Sequence, residues 1–245
     1  MINEWVFLDF DGVVCDSLEE CFQTSGLLLS FPQDDWEFLA GQHPPRIDFG
    51  EEYKERFRRV RPYIRSGEDY IVVHRLLEQK KDPQSQKEFD AALEQEGQVR
   101  LEFYKKRLYV LRESLLNWQA ELWMTWNPLY PGMAETLKSV LKNPRVVILS
   151  TKKAEFIAAI LKFHGVVWPA ERIFYTNGRA KLAIVDEVAG RSASTLIDDQ
   201  IDHLDFSHPL CRCRLALWGY VSKAAREKEV PSWTLDQALE FLRSL

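Results

Sequence analysis

Five short apolar runs, unevenly spaced, constrain this chain more than any other feature. They are Trp5 to Leu8, Val146 to Leu149, Ile173 to Tyr175, Thr195 to Ile197, and Leu215 to Trp218. Each is continuous rather than alternating, the pattern of strands covered on both faces in a parallel sheet. Amphipathic stretches lie between the later runs. Ala154 to His164 places Ile157, Ile160 and Leu161 on one face and stops at Gly165. Lys181 to Val188 is a second such stretch. Alternation of this kind predicts βαβ units and an α/β core.

The later runs recur at the spacing of βαβ units. The first gap, from Asp9 to Val146, is far longer. Its pattern is helical. Ser17 followed by Glu20 reads as a capping box that opens a helix. Tyr53, Phe57, Val60 and Ile64 recur at helical spacing, as do Leu101, Tyr104, Leu108, Leu111, Leu115, Trp118 and Leu122. Lys81-Asp82-Pro83 breaks one helix, and Asn127-Pro128 ends the insertion. The chain thus divides into a core of residues 1–16 and 130–245 and an all-α insertion of residues 17–129.

At 245 residues and 46% hydrophobic, the chain can bury one large core or two small ones. Its net charge of -5 carries no basic excess, so nucleic acid is not the expected partner. The arginines and lysines from Lys54 to Arg65 read as a solvated helix face beside Glu51 and Glu52. Trp118, Trp123 and Trp126 read as packing. No apolar run approaches the roughly 20 residues of a membrane span. The opening MINEWVFLDF is acidic and leads into a strand, unlike a signal peptide. Cys15, Cys21, Cys211 and Cys213 lack zinc-ligand spacing and are too few for a disulfide framework. Reduced thiols in a cytoplasmic protein are expected. His43, His74, His164, His203 and His208 have no ligand spacing and receive no role.

The polar residues of interest follow the runs. The first ends in Asp9-Phe10-Asp11-Gly12, the second in Ser150-Thr151-Lys152, and the fourth in Asp198-Asp199, with Lys181 shortly after the third. Open parallel sheets bind ligands at the carboxyl ends of their strands. Asp9 and Asp11, one residue apart in an extended segment, present both carboxylates on one side. Adding Asp198 and Asp199 gathers negative charge that is unfavourable unless a cation neutralises it or some of the carboxylates protonate. All-oxygen ligands on a rigid edge suit Mg2+. Lys152 and Lys153 are expected to be solvated, with contact to substrate the alternative for Lys152, leaving Lys181 as the nearby cation.

Together VFLDFDGVVCDS, VVILSTK, the lone Lys181 and TLIDDQID resemble the four motifs of the haloacid dehalogenase-like superfamily, in the family's order. The resemblance covers the whole core. It implies a Rossmann-like fold with a cap inserted after the first motif, helical as in the subgroup of phosphoglycolate phosphatase and β-phosphoglucomutase. The resemblance implies a role for each residue. Asp9 is the nucleophile that forms an aspartyl phosphate. Asp11 is the general acid and base. Ser150, with Thr151, binds phosphoryl oxygens, and Lys181 neutralises charge. Asp9, the Asp11 carbonyl and one of Asp198 and Asp199 hold Mg2+. The offset to Asp202 favours Asp198, and members with a paired Asp-Asp favour Asp199; both stay open, and Asp199 is preferred. Asp202 then orients Lys181.

The expected activity is hydrolysis of a small phosphorylated metabolite. A phosphomutase would use the same Asp9 chemistry and return the phosphoryl group to a sugar. A dehalogenase would lack Asp11, whose proton a phosphate ester's leaving oxygen needs. A non-catalytic binding protein on the same fold is the third alternative.

Overall fold

The computed structural model of the protein describes residues 4–31 and 47–245; His43 lies outside them. The chain divides into two compact units, Met1–Asp16 with Pro128–Leu245, and Ser17–Asn127.

The first unit is built on one parallel sheet, six-stranded among the described residues, in the order β3-β2-β1-β4-β5-β6. Its strands are β1 (Trp5–Leu8), β2 (Val146–Ser150), β3 (Ile173–Tyr175), β4 (Ser194–Asp198), β5 (Cys211–Ala216) and β6 (Ser232–Trp233). The apolar runs become strands because both faces are covered. Phe7, Val147, Leu149 and Leu196 pack against Ile184, Val185 and Ala189 of α9 (Lys181–Ala189). The remaining helices of this unit are α7 (Met133–Ser139), α8 (Ala154–Phe163), α10 (Lys223–Arg226) and α11 (Leu235–Arg243).

Two strand expectations need correction. The fifth run, Leu215 to Trp218, is displaced: β5 begins at Cys211 and ends at Ala216. Cys211, Cys213 and Leu215 point inward, whereas Arg212 and Arg214 are exposed or half-buried. Near the sheet edge only one face is fully covered, so the strand alternates and a search for continuous apolar runs starts too late. The two-residue β6 carries no apolar run at all.

The second unit contains α1 (Leu18–Ser30), α2 (Glu51–Val60), α3 (Asp69–Glu78), α4 (Gln86–Glu96), α5 (Gln98–Trp118) and α6 (Ala120–Thr125). Helix α1 packs on α3 and α5. Phe22, Leu27, Phe57, Val73, Phe89, Leu108 and Trp123 are fully or almost fully buried there. The expected capping box does not form. Ser17 precedes α1 without a side-chain cap bond. The Glu20 amide donates instead to the Trp126 carbonyl at 3.2 Å. The Glu20 carboxylate turns inward and accepts from Arg112 Nε at 2.8 Å and Arg112 Nη2 at 2.7 Å, with Thr24 Oγ1 at 2.9 Å. A charged, two-pronged guanidinium outcompetes a neutral amide for that carboxylate. Trp118 is exposed rather than packed, and Arg61 of the supposed solvated face is buried. Arg56 pairs with Asp82, Arg65 with Asp90 and Lys54 with Glu19. No described helix is long and apolar enough to cross a membrane.

Candidate functional site

The strand order reverses between β1 and β4: the chain builds outward through β2 and β3 on one side and through β5 and β6 on the other. The carboxyl ends of the strands flanking such a reversal form the crevice where open α/β sheets bind ligands. Leu8 is in register with Ile197, so the next residues, Asp9 and Asp198, end level on neighbouring strands. Sequence order and register together put two carboxylates one strand spacing apart.

A buried lysine bridges them. Lys181, the first residue of α9, places Nζ 2.9 Å from Asp9 Oδ1 and 2.6 Å from Asp198 Oδ2. Asp9 Oδ1 also accepts from the Phe10 amide at 2.7 Å. Asp198 Oδ1 accepts from the Gln200 amide at 2.9 Å, and Oδ2 lies 3.1 Å from His203 Nδ1. Both Asp198 oxygens are therefore engaged. Asp199 is held differently: its Oδ2 accepts from the Tyr220 amide at 2.7 Å. Asp9, Asp198 and Asp199 each offer a carboxylate oxygen within 4.8 Å of the others. Such a set of hard oxygen donors on a rigid edge suits a divalent cation that prefers oxygen.

Glycine makes the close approach possible at Gly12. Its φ is +84°, and a Cβ there would stand 2.1 Å from Asp199 Oδ2. The turn after Asp11 and the carboxylate of Asp199 occupy adjoining space that no side chain could share.

The electrostatics follow from burial. Asp9 is 6% exposed and Asp198 not at all. Burial pushes the Asp9 carboxyl up; Lys181 pulls it down without cancelling the rise, and the Asp198 charge adds to it. At Asp198 burial also works upward, but Lys181 and His203 together outweigh it and hold the group well below the usual carboxylate range. Lys181 is held well above the ordinary lysine range, its two carboxylate partners overcoming its own burial.

Asp11 is not in that cluster. Its Oδ1 lies 2.9 Å from Lys152 Nζ. Lys152, expected in solvent, is only 3% exposed and also lies over the Phe10 ring at 5.7 Å. The segment after β2 folds inward and carries the lysine with it, which a doubled Lys152-Lys153 in a sequence does not reveal. Ser150, buried at the end of β2, accepts the Lys152 amide on Oγ at 3.3 Å. Thr151 follows it, half-buried. Lys181 is held by Asp9 and Asp198, and Asp202 is exposed in the turn beyond. Sequence reasoning also passed over His203; its position five residues after Asp198, in the turn Ile201–His203, was the available signal.

No family model and no curated protein matches the chain. Solved structures do, along its whole length. A Lactobacillus delbrueckii protein designated a phosphoglycolate phosphatase aligns at TM-score 0.56 and 14% identity, covering 99% of each chain. A Haemophilus somnus protein with the same designation aligns at TM-score 0.56 and 15% identity, covering 98% of each chain. A Burkholderia xenovorans protein designated a haloacid dehalogenase-like hydrolase aligns at TM-score 0.50 and 16% identity, covering 98% of this chain and 97% of that one. At such identities the likeness concerns backbone architecture, and the chain has, end to end, the fold of haloacid dehalogenase-like hydrolases.

Proposed function

We propose that the protein is a Mg2+-dependent phosphatase that hydrolyses a small phosphorylated metabolite through an aspartyl phosphate on Asp9. The reading is carried by one observation: Asp9, Lys181, Asp198 and Asp199 converge at the strand reversal of a haloacid dehalogenase-like fold.

Two hydrogen-bond donors hold Asp9 Oδ1, which leaves Oδ2 to attack phosphorus. As that bond forms, the bond from phosphorus to the leaving oxygen breaks, and Asp11 gives the departing oxygen a proton. Asp11 then takes a proton from water while the water oxygen attacks phosphorus. The bond from phosphorus to Oδ2 breaks, inorganic phosphate leaves, and Asp9 is restored. Ser150 and Thr151 donate hydroxyl hydrogen bonds to the phosphoryl oxygens, and Lys181 offsets charge on Asp9 and phosphate.

Asp9, Asp199 and the Asp11 carbonyl would hold Mg2+, which supplies neutralisation of the phosphoryl charge when bound. Asp199 is favoured over Asp198 because both Asp198 oxygens already serve Lys181, His203 and Gln200. Asp198 therefore takes the orienting role first given to Asp202. The helical unit, Ser17–Asn127, serves as the cap. Four buried cysteines that form no disulfide fit a reducing compartment such as the cytoplasm.

A panel of phosphorylated metabolites assayed with Mg2+ and with chelator tests the reading. The wild type should hydrolyse at least one, only with metal, and Asp9→Asn none. Metal-independent turnover, or substantial turnover by Asp9→Asn, would refute it.

A further inference from the structure

Beyond β5, the segment Trp218-Gly219-Tyr220 meets the catalytic loop at points the proposed chemistry does not use. Trp218 Nε1 donates to the Val13 carbonyl at 3.1 Å. A Cβ on Gly219 would stand 2.3 Å from the Gly12 carbonyl oxygen and 2.5 Å from Asp199 Cβ, so glycine lets this backbone lie against both. Tyr220 then makes two bonds. Its amide donates to Asp199 Oδ2 at 2.7 Å, and its hydroxyl donates to Asp16 Oδ1 at 2.6 Å.

Asp16 is the last residue of the α/β unit before the chain enters the insertion. The loop from Asp11 to Asp16 therefore has the general acid at one end and the entry to the insertion at the other. Inside it, the Val14 and Cys15 amides both donate to the Phe10 carbonyl at 2.9 Å, which shapes the turn locally. The far end is held by backbone bonds, the Asp16 amide donating to the Pro128 carbonyl at 2.9 Å and the Tyr130 amide to the Val14 carbonyl at 3.1 Å, and the Tyr220 hydroxyl adds a short charge-assisted bond from the Asp16 side chain to the sheet edge.

We propose that Tyr220 is a positioning residue for the phosphatase reaction: it fastens the Asp11–Asp16 loop, through Asp16, to the same residue that orients Asp199. The inference rests on the phosphatase reading and deepens it. Catalytic groups lose activity steeply when displaced, by about a hundredfold for an ångström. Without the Tyr220 bond the loop keeps its backbone bonds and the Trp218 contact but loses the tie on the Asp16 side chain, and strand-end loops open at lower cost as bonds are removed.

Tyr220→Phe keeps the ring and the amide and removes only the hydroxyl. With an alkyl phosphate, kcat should fall about tenfold or more while KM stays within about twofold. The melting temperature in chelator should fall by no more than a few degrees, the effect of one lost hydrogen bond. Asp16→Ala should reproduce the loss, whereas Asp16→Asn, whose side-chain oxygen still accepts the phenol, should keep most of the rate. Tyr220→Phe combined with Asp16→Ala should be no slower than Asp16→Ala alone. Wild-type kcat in Tyr220→Phe, additive losses in the double variant, or a loss that tracks a larger fall in melting temperature would each overturn the proposal. If the wild type hydrolyses no phosphate ester, the phosphatase reading fails by itself. Amide hydrogen exchange then decides the Tyr220 tie: Tyr220→Phe should speed exchange at Val13 to Asp16, and unchanged protection there would overturn it.

Discussion

Burial at Asp9 has two opposite consequences. It keeps water from the carboxylate, and it raises the cost of the charge that the proposed nucleophile needs. Lys181 relieves that cost only in part, because it also serves Asp198. Replacing Asp9 with Asn should therefore abolish turnover yet, in chelator, leave stability unchanged or raised. Melting curves of both proteins without metal check this, and a melting temperature clearly lowered by Asp9→Asn would contradict it. The sequence suggested a starker charge excess than the structure has, since Lys152 accompanies Asp11. Asp11 supports a second expectation. Asp11→Asn should slow hydrolysis of an alkyl phosphate far more than that of nitrophenyl phosphate, whose leaving oxygen needs no proton. Equal slowing of both would remove Asp11 from the role of general acid.

Among the elements, the insertion holds the sharpest stability contrasts. Glu20 on α1 and Arg112 on α5 form a buried, two-pronged ion pair. Arg112→Met leaves a buried carboxylate without its cation and should cost about 3–5 kcal/mol. Adding Glu20→Gln should recover part of that. Urea unfolding of the variants measures it, and a loss below about 1 kcal/mol for Arg112→Met would contradict the pair's role. Two further groups work in opposite directions with pH. His74 is fully buried between Tyr53 and Ser25, and burial lowers its pKa to about 3. Below its unfolded pKa of about 6.5 the unfolded chain binds a proton that the folded one refuses, so stability falls with pH through that window. Burial raises Asp69 to about 6. There the folded state holds the extra proton between about 3.8 and 6, so acid stabilises it. The two slopes offset each other. Asp69→Asn should steepen the loss of stability from pH 6 to 4, and His74→Gln should reverse it; equal slopes in wild type and both variants would show that neither group titrates as described. The same elements show what a sequence can carry. Strands β1, β2 and β4 were legible because helices cover both their faces, and these runs, like that of the edge strand β3, are unbroken. Strand β5 was misplaced because its arginines face outward in alternation, and Glu20 was misread because its partner is Arg112, far along the chain. Local spacing reveals caps and turns; it does not reveal which distant charge will claim a carboxylate. Asp9, Lys181 and the Asp198-Asp199 pair were legible because each follows a strand or opens a helix, whereas Lys152 required the path of the backbone after β2.

For the molecule as a whole, metal binding and folding should be linked. The carboxylates of Asp9, Asp198 and Asp199 meet only in the folded chain. Mg2+ should therefore raise the melting temperature, with about 2.7 kcal/mol gained at about a hundredfold excess over its dissociation constant. Asp9→Asn should respond less, having lost a charged ligand. A wild type that melts identically with chelator and with Mg2+, while needing Mg2+ to turn over, would contradict that linkage. The central claim is the covalent intermediate on Asp9, and it can be trapped. Asp11→Asn mixed with Mg2+ and nitrophenyl phosphate labelled in its phosphoryl group, then quenched in acid, should carry label on the peptide that contains Asp9. The intermediate forms because this leaving group needs no acid, and it persists because Asp11 is absent to activate water. Asp9→Asn treated in the same way should carry none. Label on any other residue, or no protein-bound label from a chain that still releases nitrophenol, would contradict the account.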